Sequence, residues 1–223
     1  MPCTHKFFSD PNHLPNENGL IPKLEIETLF IGTFNPSQEW NPTNNAVYFY
    51  GRRRNYFWRL LSEFTCNQIE IDKSDYQSLI EFLQHFKIGL TDIIIRINDA
   101  DLNNNIHIDR IKKFRDADLE TFNKIDFNTN QIIAQLKLRK IKQVFITRSG
   151  IYTGSIEQQF HIIETFCNTN NILFKRLHTP SGQGLGVGTP RFNKLINKWY
   201  EQGADQFQFL CSNFNINNYP FIA

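Results

Sequence analysis

Short apolar segments alternate with amphipathic ones along most of this 223-residue chain, and this alternation limits the possible folds more than any other feature. Four segments are apolar, rich in β-branched or aromatic residues and typical of buried strands: 24–32, 88–97, 142–147 and 171–177. Five others repeat apolar residues at helical spacing: 55–64, 75–86, 129–140, 155–170 and 189–202. Strands that alternate with helices form parallel sheets covered on both faces. We therefore predict an α/β fold, a three-layer α/β/α sandwich around a short, mainly parallel sheet.

The chain is long enough for one sizeable core, and we assign residues 23–203 to a single domain. Residues 1–22 are polar and contain several prolines, which predicts an irregular, loosely docked N-terminal arm. Residues 204–223 form an Asn/Phe-rich C-terminal tail that could pack back on the domain. The Asn/Asp-rich segment 98–128 shows no clear pattern.

The composition argues against several classes of protein. No apolar run reaches the ~20 residues needed to span a bilayer, and the first residues lack the apolar stretch of a secretory signal. We therefore expect a cytoplasmic monomer without a membrane partner. A net charge of +2 is too small to identify a nucleic-acid partner by itself.

Cysteine spacing gives no support for a bound metal or a disulfide framework. The four cysteines lie far apart, and no Cys-x-x-Cys pair occurs. Cys3, His5 and His13 offer metal-ligating side chains, but a docked N-terminal arm is the interpretation that we favour. We expect no metal and no organic cofactor.

Two unusual segments follow predicted strands. Gly-Thr-Phe-Asn-Pro-Ser (32–37) follows the first strand, and a glycine-rich loop (178–188) follows the last. Ligands of open α/β sheets bind at the carboxyl ends of the strands, so both segments should lie at one rim. The loop has neither the Gly-x-Gly-x-x-Gly spacing nor a P-loop Lys-Ser/Thr. It favours a backbone that approaches a ligand closely, and a flexible connector is the alternative.

Polar and aromatic side chains near the first segment suit nucleic acid. Asn35 has an amide that can hold a water by two hydrogen bonds, although an Asx-turn before proline is the simpler interpretation. Arg52, Arg53 and Arg54 could contact phosphates or form a solvated charge cluster. The aromatic residues 48–50 could stack on a base or fill the core.

Taken together, GTFNPS, YFYGRRRNYFWRLL, IGLTDII, VFITRSG and LHTPSGQG resemble the uracil-DNA glycosylase superfamily. The resemblance is greatest to the mismatch-specific (thymine/uracil mismatch) DNA glycosylases. That group has Gly-Ile-Asn-Pro-Gly after the first strand, then Asn-Arg-Phe-Trp, and Asn-Pro-Ser-Gly-Leu-Ser near the end. The resemblance covers about residues 27–200 in the same order, and its most specific parts are Asn55-Tyr-Phe-Trp58 and Pro180–Gly182.

The resemblance implies roles for individual residues. Asn35 would position the attacking water. Apart from the resemblance, the chemistry needs donors to the leaving base, for which backbone N–H groups and His178 are candidates. The implied base pocket consists of Phe34, Tyr50, Asn55 and Phe57. The implied DNA contacts are Arg52, Arg53, Arg54, Pro180, Ser181, Gly182, Gln183 and Leu185, with Leu185 as the wedge that enters the duplex. Glu39 and Asp92 are candidate carboxylates for activating the water, although capping of a strand end is the favoured role for Asp92.

Three departures separate this chain from that group. GTFNPS has one more residue between Gly and Asn, Gly51-Arg52-Arg53 replaces Ala-His-Pro, and Thr179 begins the second motif with His178 one position earlier. Whether His178 or Thr179 takes the second-motif role stays open, as does the base that is excised.

The function that the resemblance implies is a cofactor-free, monofunctional DNA glycosylase of base-excision repair, acting on double-stranded DNA with a damaged or mismatched base. Two alternatives remain. One is a non-catalytic nucleic-acid-binding module on the same fold. The other is an enzyme that acts on free nucleosides or nucleotides.

Overall fold

A computed structural model describes residues 1–9, 25–43, 46–150, 153–186 and 190–220. Its strands are β1 (Cys3–Thr4), β2 (Thr28–Gly32), β3 (Ile88–Asp92), β4 (Ile94–Ile97), β5 (Ile125–Phe127), β6 (Gln143–Ile146) and β7 (Leu173–Arg176). Its α-helices are α1 (Lys6–Ser9), α2 (Phe57–Phe64), α3 (Tyr76–His85), α4 (Asn105–Lys113), α5 (Asp116–Leu119), α6 (Thr129–Leu138), α7 (Ser155–Thr169) and α8 (Pro190–Glu201). Short 3₁₀ turns cover Gln38–Trp40, Ala204–Gln206 and Ile216–Asn218.

The central sheet has four parallel strands in the order β3-β2-β6-β7. Strand β3, the next strand in the chain, lies on one side of β2, and β6 lies on the other side. The chain therefore goes from β2 to one side and later crosses to the other side, and a crevice opens between the carboxyl ends of β2 and β6. This position is the topological switch point of the sheet, and it is where ligands bind in folds of this kind.

Each face of the sheet carries its own apolar core. On one face, Phe30 and Phe145 pack against residues of α2, α3 and α8. On the other, Leu29 and Val144 pack against residues of α4 to α7. Alternate residues of a strand point to opposite faces, so two neighbouring positions of β2 enter different cores. The prediction of a three-layer α/β/α sandwich is confirmed.

Helix boundaries follow local signals in the sequence. The Asp75 side chain accepts a hydrogen bond from the Gln77 N–H (2.9 Å) and caps α3, as expected of an N-cap aspartate. Pro190 is the first residue of α8, where its missing N–H costs no helical hydrogen bond. The expected cap Thr189 lies outside the described residues. Among the described helices, none is both long and apolar enough to cross a bilayer.

The N-terminal residues correct one expectation. Strand β1 pairs with β4, and β4 pairs with β5, in a small antiparallel sheet beside the main one. Cys3, His5 and Phe7 are buried, so this part of the N-terminus is packed into the fold and is not a loosely docked arm. The remainder of the expected arm, residues 10–22, lies outside the described residues.

The apolar segment 88–97 is also not one strand. It divides at Ile93, because the Ile93 and Ile94 N–H groups donate to the carbonyls of Gly32 and Thr33. Residues 88–92 thus pair with β2 in the main sheet, and 94–97 turn into the small sheet. Asp92 ends β3 at the point where the chain changes sheets.

The C-terminal tail packs into the first core. Phe207 makes edge contacts with Phe145 (4.7 Å between ring centroids), Phe64 (5.3 Å) and Phe30 (5.6 Å). The tail therefore closes the face of the sheet that α2 and α8 cover.

We expect Phe207→Ala to lower the free energy of unfolding by about 3–5 kcal/mol, the usual cost of removing a buried aromatic ring. Urea denaturation measures this loss. Leu138→Ala is the control, because Leu138 is 80% exposed and its truncation should change stability by less than ~0.5 kcal/mol. Equal small losses in both variants would contradict a tail that is part of the core.

Candidate active site

A pocket of about 460 Å³ opens at the carboxyl ends of β2 and β6. Residues from five segments line it, together with Asp92 at the end of β3: 32–35 after β2, 50–55, 114–119, 147–150 after β6, and 178–184 after β7. The two unusual segments of the sequence thus lie at one rim, as strand polarity predicts. The Tyr56 N–H donates to the Pro180 carbonyl (2.8 Å) and joins the arginine-rich turn to the glycine-rich loop.

A buried carboxylate lies on one side of the pocket. Asp92 Oδ2 accepts hydrogen bonds from Asn35 Nδ2 (2.7 Å) and from His5 Nε2 (2.7 Å). His5 Nδ1 accepts from the Phe7 N–H (3.1 Å), so the imidazole carries its donating proton on Nε2. Asp92 therefore does not act as a plain strand cap. It orients Asn35, and His5 orients Asp92.

Gly32 makes room for this carboxylate. A Cβ at residue 32 would overlap Asp92 Oδ1 and would lie 3.0 Å from the Tyr50 hydroxyl. Any side chain here would push the carboxylate or the tyrosine out of place. The glycine at the end of β2 is thus required by close packing, since the carboxylate comes from the neighbouring strand.

Arg52 lies on the opposite side of Asn35. Its Nη2 donates to Asn35 Oδ1 (3.2 Å) and to the Phe34 carbonyl (3.4 Å), and its guanidinium stacks on Phe114, 3.2 Å from the ring centroid. Burial lowers the pKa of Arg52 to about 10, against the opposing effect of Asp92, so the side chain stays charged at neutral pH. Because arginine only donates and a carboxylate only accepts, the two partners fix the orientation of the Asn35 amide.

The three adjacent arginines therefore do not act as one cluster. Arg53 and Arg54 are exposed beside the pocket mouth, whereas Arg52 lines the pocket. Arg52 thus differs in its surroundings from the other two, because its Nη2 is held by protein groups, and the expected phosphate contacts stay a prediction.

Aromatic residues form another wall. Tyr50 stacks on Phe57 (3.9 Å between centroids, 12° between planes), and its hydroxyl lies 3.2 Å from Thr147 Oγ1. Burial raises the pKa of Tyr50, so it stays neutral. Tyr50 and Phe34 line the pocket, whereas Phe57 supports Tyr50 from behind and is itself fully buried. Tyr50 has φ 57°, a conformation that is uncommon without glycine and that the Phe57 stack helps to hold.

Asn55 lies at the pocket wall and also starts a helix. Its Oδ1 accepts from the Phe57 N–H (2.9 Å), the first residue of α2. Trp58, the next residue, donates its indole N–H to the Phe49 carbonyl (2.8 Å). The Asn-Tyr-Phe-Trp motif therefore holds the arginine-rich turn in shape.

The glycine-rich loop contributes His178, Thr179, Pro180, Gln183 and Gly184 to the pocket. His178 Nε2 donates to the Gln183 carbonyl (2.8 Å), and Nδ1 lies 3.5 Å from Ser149 Oγ. Burial, and to a lesser extent Lys198, lowers the pKa of His178 although the hydrogen bond to Gln183 opposes this. Both candidates for the second-motif role, His178 and Thr179, line the pocket.

The remaining loop residues have other surroundings. Ser181 Oγ lies 3.2 Å from Thr179 Oγ1, and Gly182 is buried at φ 64°. Leu185 is half-buried and packs against the first core, and its role as the wedge stays a prediction.

One wall was missed by sequence reasoning. It comes from the start of α5 and includes Asp116, whose carboxylate lies 3.3 Å from Arg148 Nη1. Burial raises the pKa of Asp116, and Arg148 opposes this. Thr147 and Arg148 directly follow β6. Because ligands bind at the carboxyl ends of strands, their positions could have marked these two residues as candidates. No comparable signal marks Asp116 or His5.

Two sequence-derived candidates do not belong to the pocket. Glu39 is exposed and accepts a hydrogen bond from Ser37 Oγ (2.8 Å), and it does not line the pocket. Of the suggested metal ligands, His5 contacts Asp92, Cys3 is buried with a raised pKa, and His13 lies outside the described residues. Within the described ranges, no three metal-ligating side chains cluster.

Comparison with protein-family models gives no match, and comparisons with curated proteins and with solved structures give none either. The geometry of the pocket and the motifs of the sequence are therefore the basis for inferring a function.

We expect the His178 imidazole to titrate below the ordinary histidine pKa of ~6.5, because burial penalises its charged form. An NMR titration of the His178 side chain through the ordinary histidine pKa measures the midpoint, and the urea-unfolded chain is the control. The folded state then binds fewer protons than the unfolded one between the two pKa values. Stability should accordingly fall as pH drops below ~6.5, and His178→Gln should remove that part of the dependence. A midpoint above that of the unfolded chain would contradict this assignment.

Proposed function

We propose that this chain is a monofunctional DNA glycosylase that hydrolyses the N-glycosidic bond of a damaged or mismatched base, flipped out of double-stranded DNA. The observation that carries the proposal is the row Asp92–Asn35–Arg52 at the wall of a pocket with aromatic and polar sides. The resemblance of the motifs to uracil-DNA glycosylases supports it independently.

Asn35 retains the capacity to hold a water. One N–H goes to Asp92 and one carbonyl lone pair to Arg52, which leaves a second N–H and a second lone pair. A water at this amide also lies close to the Asp92 carboxylate, which can accept its proton. Asp92 is thus the carboxylate that activates the water under this proposal.

The reaction needs little from such a base. Glycoside cleavage passes through a sugar with cationic character, so the bond to the base breaks early and the water attacks late. The negative Asp92 carboxylate stabilises that cation electrostatically. Tyr50 and Phe34 offer faces for the extruded base, and His178 offers a neutral imidazole at the rim.

Contacts with the DNA backbone fall to residues around the pocket mouth. Arg53 and Arg54 are exposed there, and Ser181 of the glycine-rich loop is partly exposed. A base inside a duplex cannot be reached without extrusion, so grips on the phosphates must accompany a pocket for the base.

One observation favours a second candidate. Leu185, the expected wedge, packs partly against the core and does not line the pocket. An enzyme that hydrolyses free nucleosides or nucleotides needs the same pocket and water but no wedge. Turnover of free deoxynucleosides at rates equal to those on duplex DNA would favour this candidate.

The first test is alkali-induced strand cleavage of end-labelled duplexes that carry a single uracil, hypoxanthine or ethenocytosine. We expect cleavage at one of these bases. Asn35→Ala and Asp92→Asn should each lower the single-turnover rate by ~10²–10⁴, the usual effect of losing a positioned acid or base. Glu39→Gln is the matched control, and we expect its rate to equal that of the unsubstituted protein. Salt-sensitive duplex binding without cleavage of any base would favour a non-catalytic binding module.

We expect Arg53→Gln and Arg54→Gln each to weaken duplex binding uniformly across sequences and to reduce the slope of log K against log salt by about 1. Fluorescence anisotropy over a range of salt concentrations measures the slope. Lys140→Gln is the control, because Lys140 is exposed before β6, at the opposite edge of the sheet. An unchanged slope in both arginine variants would remove these residues from the DNA interface.

A further inference from the structure

Arg52 has hydrogen-bonding capacity that the fold does not use. A guanidinium has five N–H donors, and the recorded bonds of Arg52, to Asn35 Oδ1 and the Phe34 carbonyl, both come from Nη2. Nε and Nη1 make no hydrogen bond to any residue that the structure describes. The side chain lines the pocket, so these donors are available to a molecule bound there.

The Asn35 amide lies between a negative and a positive side chain. The Asp92 carboxylate lies at its amide nitrogen (2.7 Å) and the Arg52 guanidinium at its amide oxygen (3.2 Å). Hydrolysis of an N-glycosidic bond develops positive charge on the sugar and negative charge on the base. A site with a fixed anion on one side of the water and a fixed cation on the other matches this separation of charge.

We propose that Arg52 is a catalytic residue that stabilises the negative charge on the leaving base, and that it selects bases with an oxo group next to the glycosidic nitrogen, as in 2-oxopyrimidines. This inference rests on the proposed glycosylase function. Under it, Arg52 contacts the leaving base, whereas Arg53 and Arg54 contact the DNA phosphates.

The C1′–N bond breaks, and its electron pair passes to the ring nitrogen and is shared with the adjacent oxo oxygen, to which Arg52 donates. The water oxygen bonds to C1′, and its proton goes to the Asp92 carboxylate. The base anion later takes a proton from solvent.

Phe114 gives the cation a fixed position. The guanidinium carbon lies over its ring, 3.2 Å from the centroid, and a lysine ammonium at this position would not present the same planar set of donors. Partial burial strengthens the interaction with a developing anion, since it lowers the local dielectric constant. Donors that are already oriented need no rearrangement during the reaction.

A comparison of leaving groups tests the inference. Duplexes with uracil or 5-fluorouracil at the same position differ in how readily the base departs as an anion, because fluorine stabilises that anion. We expect Arg52→Gln to slow uracil release by ~10²–10³ in single-turnover experiments, with a loss at least ~10-fold smaller for 5-fluorouracil. The ratio of the two rates, measured on one preparation, does not depend on how much of the variant is folded.

Two further variants complete the design. Arg53→Gln should weaken duplex binding and leave the ratio of the two rates unchanged, since it contacts phosphate. Phe114→Leu keeps the charge and removes the stack, so the ratio should shift in the same direction as in Arg52→Gln but less. This second variant tests the inference if Arg52→Gln does not fold.

Equal losses on both bases in Arg52→Gln, or a loss of duplex affinity alone, would overturn the inference and leave the glycosylase proposal standing. Release of neither base and of no other lesion by the unsubstituted protein would overturn the proposed function and, with it, this role for Arg52.

Discussion

The site depends on one buried carboxylate. An ionised carboxyl group loses its hydration when it is buried, at a cost of several kcal/mol that only close partners offset. Asp92 has two such partners at 2.7 Å, His5 and Asn35, and the absence of a side chain at Gly32 gives it space. These residues come from the N-terminus and from two neighbouring strand ends. The hydrogen bonds to the Asp92 carboxylate therefore fix the relative positions of three distant parts of the chain.

The parts of this arrangement that depend on local pattern could be predicted. Helix α3 was expected at 75–86 and covers Tyr76–His85, because its apolar spacing and its aspartate cap lie within the segment itself. The position of Asn35 at the pocket follows from a general property of parallel sheets, in which carboxyl ends of neighbouring strands lie along one edge. A single sequence therefore sufficed to place the pocket near 32–37 and 178–188.

Contacts between distant residues could not be predicted in this way. His5 and Asp92 are 87 positions apart, and a histidine near a chain end carries no sign of its partner. The wall around Asp116 comes from residues 114–119, which follow α4 and include the short helix α5, in an Asn/Asp-rich part of the chain without a strong apolar period. The break at Ile93 depends on hydrogen bonds to β2, and those require the neighbouring strand to be in place.

The arginine-rich turn shows why residue type alone did not determine role. The turn is fastened at both ends, by the Trp58 indole on the Phe49 carbonyl and by the Tyr56 N–H on the Pro180 carbonyl. Between these points the chain is short, so neighbouring side chains must diverge. One arginine faces inward to Asn35 and Phe114, and the next two face solvent. A single run of identical residues thus provides one cation held in the pocket and two exposed ones beside it. Under the proposed function, these are the different requirements of a departing base and a passing phosphate backbone.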